Sequence, residues 1–340
     1  MLVTTSYGTT ATGQTANLYT VTNAQGASFT ASDYGATLYS VRVPDAQGNF
    51  LDVALAHAGL GGYEKNAPGF GATVGRNANR IAGAGFELNG TTHHLSANEG
   101  ANNLHSGPFP WFERMWQLSS SDERSVTFGL LSNAGDQGFP GEVSVHVTYT
   151  LDDENRLTIY YSAMPTEPTV INLTNHTYWN LEGHAYGSVD AHKLQVDASR
   201  YTPTDEALIP TGELRDVADT PFDLREDKVL GDILRAVPGG LDHNFCLDSG
   251  VGIAHAARLV AGESGIALDV FTDLPGIQVY TAGGLADMRG KDGAAYGRFA
   301  GVALETQYWP DAIHHNDWPQ PVFGPTHPFV STTVFAFSLA

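Results

Sequence analysis

The stretch Val143-Ser144-Val145-His146-Val147-Thr148-Tyr149-Thr150-Leu151 alternates apolar and polar residues without a break. Successive side chains on a strand point to opposite faces, so this period of two gathers the apolar groups on one face and the polar ones on the other. A turn-forming run, Asp152-Asp153-Glu154-Asn155, follows, and alternation resumes with Leu157, Ile159 and Tyr161. Two such runs joined by a polar turn predict an antiparallel hairpin with one buried face. The carboxy-terminal end repeats the theme, with Phe335, Phe337 and Leu339 on one face of a closing strand.

Working outward from the hairpin, helical patterning is scarce. The best candidate, Phe222 to Val237, is short, charged and interrupted by Gly231. No series of alternating strands and helices appears, which argues against a doubly wound sheet. There is no internal repeat, low-complexity segment or Pro- or Ser-rich linker, and 38 glycines suit many strands joined by tight turns. The 340 residues exceed the roughly 250–300 at which cores usually split, but all-β domains often run long. The expectation is an all-β chain folded as one antiparallel domain over residues 1–340.

With 17 basic and 37 acidic residues the formal charge is −20. Such a field repels phosphate backbones and anionic lipid, so neither nucleic acid nor membrane is an expected partner. A neutral substrate tolerates it. Cys246 is the only cysteine, no apolar run approaches the ~20 residues of a membrane span, and the first twenty residues lack a basic, then apolar, leader. These features together point to the cytoplasm.

Several catalytic classes drop out. Gly59-Leu60-Gly61-Gly62 lacks the spacing of a dinucleotide loop, and neither a phosphate loop nor a Gly-x-Ser-x-Gly elbow occurs. The pairs His93-His94 and His314-His315 suggest metal binding, but strand neighbours face opposite ways and no HExxH or paired CxxC accompanies them. No metal or cofactor is expected.

Three segments carry more information. In Val170 to Leu181, a strand reading puts Asn172, Thr174, His176 and Tyr178 on one face and Ile171 and Leu173 on the other, as for a strand lining a wet cleft. In Val302 to Asp311, Glu305 lies among residues of high β preference. A carboxylate there is costly to bury unless it is paired or used, the alternative being an edge position facing water. In Gly75-Arg76-Asn77-Ala78-Asn79-Arg80-Ile81 and Asn98 to Gly107, arginines and amides offer the fixed donors that hold neutral polyols, although a surface turn has the same composition.

In this order along the chain, these segments resemble the aldose 1-epimerase family, the galactose mutarotases. The likeness begins at Val43-Pro44-Asp45-Ala46-Gln47-Gly48 and Gly62-Tyr63. It runs through Gly75-Arg76 to Ile81, Leu104-His105 and Asn172-Leu173-Thr174-Asn175-His176-Thr177-Tyr178-Trp179-Asn180-Leu181. It continues with Tyr201-Thr202-Pro203-Thr204-Asp205-Glu206, Pro210-Thr211-Gly212-Glu213, Thr220-Pro221-Phe222-Asp223 and Leu241-Asp242-His243-Asn244-Phe245. Pro275 to Thr281 and Leu304-Glu305-Thr306-Gln307 with Pro310-Asp311 close the series.

The resemblance implies a large antiparallel β-sandwich of the galactose-mutarotase type with an open cleft, and a monosaccharide substrate. It implies that Glu305 is the general base, His176 the general acid and His105 a second active-site histidine. It further implies that Asn79, Arg80, Asp242 and Gln278 hold sugar hydroxyls. Two departures bear on sugar preference: the family's Leu-His-Gly-Gly reads Leu104-His105-Ser106-Gly107, and its Tyr-Thr-Gly-Asn reads Tyr280-Thr281-Ala282-Gly283. At their ordinary pKa values, about 4.3 and about 6.5, a glutamate is ionised and a histidine supplies a proton near neutrality, so a Glu/His pair suits ring opening without a large shift.

Overall fold

A computed structural model describes residues 1–340. The predicted hairpin forms, with strands Val143–Leu151 and Arg156–Pro165 paired from Val143↔Pro165 to Leu151↔Leu157. Val143, Val145, Val147, Tyr149 and Leu151 are all buried, while Ser144 is exposed. Asp152 closes the turn by accepting the Glu154 and Arg156 backbone N–H groups at 3.0 and 2.9 Å.

This hairpin supplies the third and fourth strands of a nine-stranded antiparallel sheet. In spatial order its strands are Gln117–Ser121, Ser125–Ser132, Val143–Leu151, Arg156–Pro165, Phe329–Leu339, Ile266–Thr272, Ala254–Val260, Lys193–Val196 and Lys228–Val229. In the closing strand Phe335 and Phe337 are buried, but Leu339 is 54% exposed. A five-stranded amino-terminal sheet, Leu2–Thr9 to Phe50–Asp52, packs on one part of the nine-stranded sheet, with Tyr19 against Phe128 and Phe29 against Tyr149.

A six-stranded sheet covers another part, through Trp179 against Phe335 and Phe337. Its order is Tyr178–Trp179, Val302–Gln307, Gly276–Tyr280, Asp242–Cys246, Arg200–Thr202 and Arg215–Asp216. Sheets facing each other across a shared apolar layer make the fold a β-sandwich. One apolar cluster draws on all three sheets, from Tyr19 to Phe337.

Helix is confined to short pieces. In the segment with the strongest helical pattern, only Leu230–Ala236 is α-helical, and Lys228–Val229 before it joins the nine-stranded sheet. No helix is long and apolar enough to cross a membrane.

Candidate active site

The strand Val302–Gln307 builds the floor of the site. It is an interior strand, paired with Tyr178–Trp179 on one side and Gly276–Tyr280 on the other, so the water-facing edge position is ruled out. Its period of two sends Val302 and Leu304 into the main apolar core, and Thr306 meets Thr333 of the nine-stranded sheet at 2.6 Å. Glu305 therefore points the other way, yet it is only 2% exposed. Cross-strand register puts Gln278 and Asn244 in line with it.

His176 ends the short strand Thr174–His176, which pairs with Ala72–Val74 and not with the six-stranded sheet. Its Nε2 lies 3.5 Å from Glu305 Oε1. Gly69, at φ +73°, lets the chain pass close by: a Cβ there would sit 3.3 Å from the imidazole. His176 Nδ1 and Glu305 Oε2 are buried without a hydrogen-bond partner. Leaving a buried polar atom unpaired costs about 1–3 kcal/mol, so neither group is placed there for stability. Of the expected polar stripe, only His176 and Tyr178 line the cleft. Asn172 instead brackets Tyr308, accepting its N–H at 2.9 Å, because the segment breaks into two short strands in different sheets.

His105 comes from a loop folded onto Asn79. Asn79 N–H donates to His105 Nδ1 at 3.1 Å, and His105 N–H donates to the Asn79 carbonyl at 3.0 Å. Both residues have positive φ, 61° and 52°, a conformation costing non-glycine residues about 1–2 kcal/mol. The clasp also sets the tautomer. A neutral ring whose Nδ1 accepts a hydrogen bond carries its proton on Nε2, so His105 offers the cleft an N–H donor. Candidate ligand atoms of His105, His176 and Glu305 all lie within 4.8 Å of one another, close enough for a metal triad. The Asn79 amide opposes that use, because a metal-binding Nε2 needs the proton on Nδ1 and an acceptor beyond it.

Together these residues border a cleft of about 390 Å³, shared with Asn79, Arg80 and Asp242, and small-molecule pockets run roughly 300–1,000 Å³. Gln278 stands apart. It lines a narrow neighbouring cavity and donates to Asp242 Oδ1 at 2.6 Å, so it reaches the cleft through Asp242. Arg76, offered by composition as a second sugar donor, is fully buried, and it donates to the Pro140 and Gly141 carbonyls at 2.6 and 2.9 Å. Tyr280, also on the cleft wall beside Tyr178, is recognisable only once the sheets are assembled.

The dry setting changes the acid–base chemistry from the ordinary values expected of the sequence. Burial pushes the Glu305 carboxyl well above the usual carboxylate range, Asp242 adds to the rise and Arg80 opposes it. Burial brings His176 down to about 4. His105 falls well below its ordinary value, through burial first and then through His176 and Arg80. The environment favours the neutral form of each member.

Both sequence departures replace a glycine at a left-handed position. Ser106 has φ 58°, and its hydroxyl accepts Asn77 N–H at 2.8 Å and donates to the Asn77 carbonyl at 3.1 Å, which offsets the strain. Ala282, at φ 55°, has a methyl group and no such compensation. The paired histidines have structural partners: His93 stacks on Phe86, His314 bonds Asp311 at 2.7 Å, and His315 stacks on Trp318 with its Nε2 3.9 Å from the same Asp311 carboxylate.

The family model for aldose 1-epimerase matches residues 17–336. A galactose mutarotase from Homo sapiens is 41% identical over 312 residues, covering 90% of each chain. An aldose 1-epimerase from Escherichia coli strain K12 is 38% identical over 334 residues, covering 96% of each. Among solved structures, a GalM/aldose epimerase homologue from C. elegans superposes with a TM-score of 0.90 at 30% identity, over 96% of this chain and 99% of that one. A galactose 1-epimerase from Lactobacillus acidophilus gives 0.87 at 28% identity, over 100% of this chain and 99% of that one. A β-sandwich whose carboxylate and two imidazoles converge on one cleft, matched across nearly its whole length, belongs to the aldose 1-epimerase family.

Proposed function

We propose that this chain interconverts the α and β anomers of a free aldohexose such as galactose or glucose, by opening and reclosing the ring between Glu305 and His176. The observation that carries the reading is one carboxylate and one imidazole 3.5 Å apart, each with an unpaired buried atom, on the wall of one open cleft. The names of its relatives, galactose mutarotase and aldose 1-epimerase, support the reaction class.

In the proposed cycle, Glu305 takes the proton of the C1 hydroxyl while His176 delivers one to the ring oxygen. The bond between C1 and the ring oxygen breaks, leaving an open-chain aldehyde. Rotation about C1–C2 turns the other carbonyl face toward the C5 hydroxyl. On closure that hydroxyl returns its proton to His176 as its oxygen attacks C1, and Glu305 reprotonates the C1 oxygen. The pair needs a single proton between its members, carboxylate and imidazolium differing from carboxyl and imidazole only in where that proton sits. Each positioned acid or base is worth typically about 10²–10⁴-fold.

His105 donates through Nε2–H to a sugar oxygen, Asn79, Arg80 and Asp242 hold hydroxyls, and Gln278 fixes the Asp242 carboxylate from behind. The same proposal treats residues 1–340 as one domain, supported by the apolar cluster that runs through all three sheets. It places the protein in the cytoplasm without nucleic-acid or membrane partners, supported by the lone buried thiol of Cys246 and the charge of −20.

Polarimetry on freshly dissolved α-galactose and α-glucose tests the reading, with accelerated decay of rotation as the expected result. Sugar binding seen by calorimetry without any acceleration would overturn it. Glucose 6-phosphate is expected to be the poorer substrate, since Arg76 is engaged by carbonyls and Arg80 by Glu99.

A further inference from the structure

Arg80 is the cation nearest the chemistry, and its charge acts on Glu305, His105 and Tyr280 across the cleft. Two further carboxylates, Asp242 and Glu305, share that cleft with it. Yet the only ion pair Arg80 makes is with Glu99. Nε donates to Oε2 at 2.6 Å and Nη2 to Oε1 at 2.8 Å, a bidentate grip on one edge of the guanidinium. Nη1 has no partner within the protein. The Arg80 side chain is 9% exposed and that of Glu99 36%, so this pair is not a freely solvated surface contact.

Glu99 is also tied to the site by its backbone. It opens a tight turn in which Glu99 N–H donates to the Asn102 carbonyl at 3.2 Å and Asn102 N–H to the Glu99 carbonyl at 2.9 Å. Asn102 Oδ1 accepts Gly83 N–H at 3.1 Å, and the turn runs on into Asn103–Leu104, which pairs with Arg80–Ile81 immediately before His105. Turn, arginine and second histidine therefore form one connected unit.

We propose that Glu99 is a positioning residue: its carboxylate holds Arg80 on the sugar-binding wall and prevents the guanidinium from closing onto Asp242 or the Glu305 base. The assignment rests on the mutarotase reading above. In a poorly solvated cleft an unclamped guanidinium is drawn to the nearest carboxylate, where it would both withdraw a donor from the sugar and weaken the base. The titratable and charged groups that share the cleft with Glu305 are Lys65, Arg80, His105, His176, Tyr178, Asp242 and Tyr280, and among these Arg80 is the one Glu99 pairs with.

The test is steady-state polarimetry with galactose across pH on wild type, Glu99→Gln and Glu99→Asp, with melting temperatures measured in parallel. Glu99→Gln, nearly isosteric, is expected to lose about tenfold or more in kcat/KM with a raised KM, and to shift the alkaline limb of kcat to lower pH. Glu99→Asp is expected to recover part of both. Kinetics within twofold of wild type with an unmoved limb would overturn the proposal, whatever happens to the melting temperature. A loss that leaves the limb in place and that Glu99→Asp does not repair would overturn it as well. Failure of the wild type itself to accelerate mutarotation would instead refute the function on which the assignment stands.

Discussion

The hairpin Val143–Pro165 and the strand Val302–Gln307 obey the same period of two, yet they put it to opposite uses. In the hairpin the apolar row is buried and the polar row meets water, so Ser144 is exposed while Val143 and Val145 are not. In Val302–Gln307 every residue is buried, and on the row turned away from the main core Glu305 reaches the cleft while Gln307 donates to Asn244 and Gln278. The first stores stability in apolar contact. The second keeps a carboxyl group where its charge is costly, which raises its pKa well above the usual carboxylate range.

The comparison is broken most severely at Glu305. Glu305→Gln should lower kcat by about 10²–10⁴-fold while leaving the melting temperature unchanged or raised, because it removes an ionisable group from a dry wall. A normal polarimetric rate would refute the base assignment. Leu157→Ala in the hairpin should do the reverse, costing about 2–5 kcal/mol in denaturant unfolding with kcat per folded molecule unchanged. His176→Asn should match Glu305→Gln in lost turnover, and a loss of folding would make the imidazole a core group instead.

The pH profile sharpens the contrast further. His176 sits at about 4, below its ordinary value. As pH falls through that point the imidazole gains a second proton for the pair and no base remains. kcat/KM should therefore hold steady through pH 5–6 and fall only near pH 4. At the other end, the raised Glu305 carboxyl must lose the last proton before the acid disappears, so the alkaline limb should lie well above the ordinary carboxylate range. An acid limb near 6.5 would show that the imidazole is solvated in the working enzyme. The smallest effect is expected at Ala282→Gly, where relief of a left-handed alanine outweighs the added freedom of the unfolded chain by about 0.5 kcal/mol. A lower melting temperature would count against that strain.

Sequence reading reached different depths in the two regions. The hairpin was legible because its signal is local: nine residues, one alternation, one turn. His176 and Glu305 stood out as polar groups in apolar company, but whether each was buried for use or exposed at an edge depended on neighbours more than a hundred residues away. Arg76 and Arg80 illustrate the limit. They are four residues apart in one Gly- and Asn-rich segment, yet one guanidinium is buried among carbonyls and the other lines the cleft. Gln278, which the resemblance assigns to sugar hydroxyls, lines a neighbouring cavity and bonds Asp242, while Glu99, in a segment of suggestive composition, carries no pattern that pairs it with Arg80.

By itself the sequence determined the all-β class and the inward and outward rows of its longest strands, properties of spacing that the backbone period converts directly into direction. The residues gathered at the cleft came instead from the order of motifs shared with the aldose 1-epimerases. The protonation preferences of the trio, the tautomer of His105, the partners of the two arginines and the strain at Ser106 and Ala282 were decided only by the tertiary structure. Each depends on desolvation or on hydrogen bonds between segments far apart in the chain, and no local pattern encodes how deeply a residue is removed from water.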